Sequence, residues 1–158
     1  MEKWALGMKE NLKNKTTNFT IQEKQNINYQ YLHNLLVKIE NGSITGTVEL
    51  KSKVELIINE MPQKIGEKRL NYTAKHLNQI TNLQTFVENN FNLVKKGSLS
   101  KRYMLMGIPV GMPLGLPIGA AIGKIGLSLI IGMPFGLVIG FLIGRYLDKK
   151  AVNENRII

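Results

Sequence analysis

Between Tyr103 and Tyr146 the chain runs 44 residues with only two charged side chains, Lys124 and Arg145. About 20 apolar residues in a helix cross a hydrocarbon core of roughly 30 Å, so this stretch has the length of two crossings. Glycine recurs at every fourth position within it, at Gly107, Gly111, Gly115, Gly119 and Gly123, and again at Gly132, Gly136, Gly140 and Gly144. At 3.6 residues per turn, a spacing of four keeps these positions on one slowly drifting face. The pattern predicts two antiparallel helices over residues 103–123 and 127–146, turning at Gly123, Lys124, Ile125 and Gly126. Folding about that turn sets Gly107 opposite Gly144, Gly111 opposite Gly140, Gly115 opposite Gly136, Gly119 opposite Gly132, and Gly123 opposite Ser128. Helices in lipid associate where small residues let their backbones approach, so this register is an expectation of tight helix packing.

A second repeat lies on the first of these helices. Pro109, Pro113 and Pro117 each follow a glycine by two places, roughly opposite the glycine face. Proline lacks the amide hydrogen that would bond the carbonyl four residues earlier, which frees the carbonyls of Leu105, Pro109 and Pro113. Unsatisfied backbone groups cost several kcal/mol each in hydrocarbon, so such a face is expected to be covered by protein or exposed to water. The three prolines are therefore candidate pore-lining or kinking residues.

The rest of the chain differs in kind. Of its 158 residues, 21 are Lys or Arg and 11 Asp or Glu, a formal net charge of +10. Residues 1–102 hold 16 of the cations against 9 Glu, a net of +7. The expected organisation is a basic helical domain over 1–97, a short linker over 98–102, the hairpin over 103–146, and a basic polar tail over 147–158. Lys95, Lys96, Lys101 and Arg102 precede the first apolar segment, and Arg145, Lys149 and Lys150 follow the second. By the positive-inside rule both flanks are expected on the cytoplasmic side of an inner or plasma membrane, these seven cations at its surface. Each cation near an anionic leaflet is worth roughly 1 kcal/mol. The dispersed lysines and the lack of any recognised nucleic-acid motif argue against a nucleic-acid partner. The first 15 residues contain no apolar core followed by a small-residue cleavage site, so no secretory signal is expected there.

Periodicity in the first domain predicts helices. Trp4, Met8 and Leu12 recur every four residues, and Trp4 suits either a lipid interface or packing on the domain. Thr20-Ile21-Gln22-Glu23 fits a capping box, followed by an apolar face of Ile27, Tyr31, Leu32, Leu35, Leu36 and Ile39 and a stop at Asn41-Gly42. Val48, Leu50, Val54, Ile57, Ile58 and Met61 form the next face, which Pro62 ends. A long helix from Lys64 to Lys96 carries two seven-residue series, Leu70, Leu77, Gln84, Phe91 and Thr73, Ile80, Val87, Val94. Interleaved, they supply heptad core positions. Polar Thr73 and Gln84 favour a three-helix bundle within the chain over a coiled coil between chains.

The sequence offers no catalytic constellation. His33 and His76 are isolated, no cysteine is present, and the glycines lack the strand-to-helix context of a phosphate-binding loop. No enzyme activity, cofactor or metal is expected.

Residues 103–146 resemble the membrane segments grouped as glycine-zipper proteins, a class whose bacterial envelope members imply close helix packing and frequent oligomerisation. The likeness covers under a third of the chain. Many envelope members are lipoproteins with an amino-terminal cysteine, which this chain lacks, so their periplasmic location is not implied. The expected fold is all-α, a small cytoplasmic bundle followed by a two-helix transmembrane hairpin. The expected function is a self-associating membrane protein with lipid and copies of itself as partners, as a pore or permeabilising effector. The alternatives are an anchored scaffold whose helical domain binds a cytoplasmic protein, and a hairpin that dips into one leaflet without spanning.

Overall fold

The computed structural model describes residues 3–62, 74–123 and 126–158, the side chains of 126–129 excepted. It is all-α: α1 Lys3–Lys15, α2 Ile21–Asn26, α3 Tyr29–Glu40, α4 Val48–Asn59, α5 Ala74–Phe91, α6 Ser98–Ala121 and α7 Gly126–Asn153. The chain divides into two compact units, residues 1–93 with Ile158, and Val94–Ile157.

In the first unit the local signals act as the sequence predicts at the capping box and at the Asn41-Gly42 stop. Thr20 Oγ1 accepts from the Glu23 amide at 3.3 Å, and the Thr20 amide donates to Glu23 Oε2 at 2.8 Å, so both halves of the capping box form. Asn41 caps α3, and Gly42 follows at φ 74°, the left-handed conformation that glycine adopts without steric penalty. Thr47 caps α4 through the Leu50 amide. Two boundaries differ from expectation. The face from Ile27 to Ile39 is not one helix, because Asn28 takes φ 57° and separates α2 from α3. The long helix ends at Phe91 rather than Lys96, because Asn92 is also left-handed. Asparagine tolerates this conformation better than most residues.

The core collects the apolar faces. Ile27, Tyr31, Leu32, Leu35, Leu36 and Ile39 are all buried, as are Leu50, Val54, Ile57, Ile58 and Met61, whereas Val48 at the start of α4 is 86% exposed. On α5 the buried residues are His76, Ile80, Leu83 and Val87, while Leu77 is 44% exposed. The buried stripe is therefore offset from the expected heptad seam. Leu70, Thr73 and the expected start at Lys64 lie outside the described residues. α1 joins the bundle by packing on α3 and α4. Trp4 Nε1 donates to Glu55 Oε1 at 2.5 Å, and the Lys51 ammonium lies 5.5 Å from its ring centroid, so Trp4 packs on the bundle rather than standing apart from it.

Among the described residues of this unit His76 and Thr16 are the buried polar ones, and His76 Nε2 lies 3.4 Å from the Ile27 carbonyl oxygen. Burial holds the imidazole below its ordinary value of 6.5, and the contact with the Ile27 carbonyl opposes this in part. The unfolded chain therefore takes up the proton more readily than the fold. The contribution of neutral His76 is complete above pH 6.5 and is lost as the pH falls toward the lowered folded value. In urea titrations from pH 7.5 to pH 5.5 the wild-type midpoint is expected to fall more steeply than that of His76→Gln; parallel slopes would exclude the effect.

The second unit is α6 packed along α7. Both helices are long and apolar enough to cross a membrane, with mean hydropathies of 1.5 and 1.8 over the most apolar 18 residues within Ser98–Ala121 and Ile130–Asn153. The expected linker is the first turn of α6, entered from Gly97 at φ 76°. The expected polar tail is helical as far as Asn153. Past it, Asn155 turns at φ 55°, and the Val94 amide donates to the Arg156 carbonyl at 2.8 Å in a parallel bridge of Val94 with Ile157. The segments entering α6 and leaving α7 are thus joined across the base of the hairpin.

Candidate functional site

The hairpin is built on backbone contact. A Cβ placed on Gly111 would sit 2.6 Å from the Gly136 Cα, one on Gly136 2.7 Å from the Gly111 Cα, and one on Gly107 2.7 Å from the Gly136 carbonyl carbon. On Gly132 it would meet the carbonyl carbon of Gly111 at 3.1 Å, on Gly140 that of Tyr103 at 2.9 Å, and on Gly144 the Ser100 Cα at 2.6 Å. Gly115 and Gly119 are buried on the same face of α6.

These contacts replace the expected register. Gly107 meets Gly136 and Gly140 rather than Gly144, and Gly111 meets Gly132 and Gly136. Each of these two glycines lies between two on the other arm, because a backbone that closes on its neighbour interlocks instead of meeting it atom for atom. Among the described residues nothing lies within 4 Å of a Cβ placed on Gly123, which stands at φ 68° just past the α6 cap Ile122 and so serves as the left-handed stop. The Lys124–Ile125 turn and the Ser128 side chain lie outside the description.

Pro109, Pro113 and Pro117 are exposed on the outer side of α6, which stays α-helical through all three. Two positions of about 100° each carry them roughly 200° round from the glycine face. The sequence reading passed over a fourth, Pro134 of α7, also inside a helix, exposed, and two residues after a glycine. Its signal was the same offset, seen once rather than three times. It removes the helical donor of the Ile130 carbonyl. Around these prolines the outer faces are lined by large apolar side chains, among them Val110, Leu114, Phe135, Val138 and Ile130, the last 68% exposed. A cleft of about 150 Å³ runs between the arms, bounded by Leu114, Ile118, Ile131, Phe135 and Ile139.

At the base of the hairpin, polar groups join the glycine contact. The Ser100 amide and hydroxyl both donate to Asp148 Oδ2, at 2.9 and 2.5 Å, tying the first turn of α6 to α7. Of the seven expected surface cations, Lys96, Arg145 and Lys149 converge on one open cavity of about 630 Å³. Lys101 and Arg102 are exposed on the first turns of α6, and Lys150 pairs with Glu154 at 3.9 Å. Lys95 is half-buried, and burial lowers its pKa, the neighbouring charge of Lys101 adding to the shift. The chain matches no family model, no curated protein and no solved structure.

Proposed function

We propose that the protein is an integral membrane protein whose hairpin self-associates and permeabilises the bilayer. One observation carries this reading: the glycine faces are used up inside the hairpin, while Pro109, Pro113 and Pro117 stand exposed on the outer face of α6 among the described residues. In lipid, the carbonyls that Pro109, Pro113 and Pro117 deprive of donors need either a protein neighbour or water. Copies arranged with α6 inward supply both, a neighbour at the sides and a hydrated centre. The apolar outer side of α7 then faces lipid.

The test combines oligomeric state and ion flux, with the purified full chain measured by light scattering in detergent and in liposomes of the same preparation. The expected result is a multimer whose flux falls to the protein-free leak when Pro109, Pro113 and Pro117 are all replaced by leucine, which restores the amide donors. A monomer with tight liposomes would refute the proposal.

A second reading, an anchored scaffold that binds a cytoplasmic protein, is favoured by the first unit. It has a core of its own and yet leaves Ile21 and Val48, at the starts of α2 and α4, 80% and 86% exposed. A multimer in tight liposomes would favour it.

A further inference from the structure

We infer that the cavity at the base of the hairpin is a binding site for the phosphate of an anionic phospholipid headgroup. The inference rests on the membrane reading of α6 and α7. Lys96, Arg145 and Lys149 line the cavity together with Gly97, Ser100 and Asp148, and all belong to the second unit. Among the described residues none of these three cations takes part in an ion pair. Asp148 contributes the one negative charge of the lining, and its Oδ2 is already occupied by both Ser100 donors. With Lys96, Arg145 and Lys149 set against the single carboxylate of Asp148, the described lining keeps a positive excess.

The chemistry fits a phosphodiester. A guanidinium presents paired donors that match two phosphate oxygens, and the two ammonium groups add point charge. The amino end of α6 opens on the same cavity at Gly97, which offers no side chain to crowd it, and the positive end of a 24-residue helix favours an anion there. Position selects a lipid rather than a soluble phosphate. On α7 the exposed apolar residues Leu142 and Ile143 are separated from Arg145 by Gly144 alone, so the cations stand where the hydrocarbon would end. Basic pockets between helices at that level bind lipid headgroups.

The full chain in neutral detergent, titrated with phosphatidylglycerol or with phosphatidylcholine of identical acyl chains and followed by native mass spectrometry, tests this one lipid at a time. The expected result is a phosphatidylglycerol adduct at about tenfold lower concentration than the choline lipid. The preference disappears in Arg145→Ala/Lys149→Ala but persists in Lys101→Ala/Lys150→Ala, which removes the same charge outside the cavity. Equal binding of both lipids by the wild type, or equal loss in both double variants, would overturn the site. Displacement of the bound lipid by glycerol phosphate at the lipid's own concentration would overturn the lipid as its source. Flotation with vesicles of pure phosphatidylcholine separates the two levels. A chain that floats but shows no headgroup preference refutes the site alone, and one that does not float refutes the membrane reading and the site with it.

Discussion

Replacing Gly136 by leucine is expected to prise the two arms of the hairpin apart. The first added carbon would already lie 2.7 Å from the Gly111 Cα and 2.8 Å from its amide nitrogen. Both are backbone atoms, so no rotamer change relieves the overlap, and a whole helix has to move. Overpacking an ordinary core costs about 1–3 kcal/mol because side chains can shift; with backbone on both sides the loss belongs at or beyond the upper end. Thermal unfolding of the full chain in detergent, followed by helical circular dichroism, should show a clearly lowered transition, and Gly136→Ala should shift it the same way. Gly7→Ala is the contrast. That position is exposed on α1 with nothing within 4 Å of its Cβ, and removing a helical glycine there stabilises by about 1 kcal/mol. If Gly136→Leu melted with the wild type, the interlocked backbone would be wrong.

The second large effect belongs to the other unit. Leu35 is completely buried on α3, the helix against which both α1 and α2 pack. Truncation to alanine removes buried methyl groups and leaves a cavity, which costs about 2–5 kcal/mol. Whole domains are stable by about 5–15 kcal/mol, so Leu35→Ala removes much of the total. Urea unfolding read from the fluorescence of Trp4, the single tryptophan, should give a markedly lower midpoint with an unchanged slope. Val48→Ala, at an 86% exposed position, should stay within about 0.5 kcal/mol of the wild type. Similar losses in the two variants would contradict the assignment of the core.

The hairpin was legible in the sequence because its signal is redundant. Nine glycines at a spacing of four, set in an uncharged stretch, state helix, length and face at once. Register was not legible. The sequence reading counted Gly123 as a contact and centred the fold on the turn, whereas α6 stops at Ala121 and Gly123 serves the stop itself. Spacing alone cannot distinguish a glycine needed for close approach from one needed for positive φ. The breaks at Asn28 and Asn92 were hidden for a related reason: an apolar period continues through a residue whose backbone leaves the helix. At the base, the cations were identifiable individually, but their grouping into one cavity depends on how α6 and α7 meet. Lys96 and Arg145 lie 49 residues apart, and no local pattern links them.

The interlocked glycines also decide how the hairpin answers to bilayer thickness. At 1.5 Å per residue, the uncharged run of α6 from Tyr103 to Ala121 and that of α7 from Gly126 to Gly144 each extend about 28 Å, close to a hydrocarbon core of roughly 30 Å. In a thinner bilayer a lone helix accommodates the hydrophobic mismatch by tilting or by sliding along its neighbour. Here sliding is blocked, since any axial step drives a carbonyl over an opposing Cα. In the proposed membrane setting the arms lean together as one plank, and in a thinner bilayer a greater lean swings the cationic base sideways through the headgroup layer.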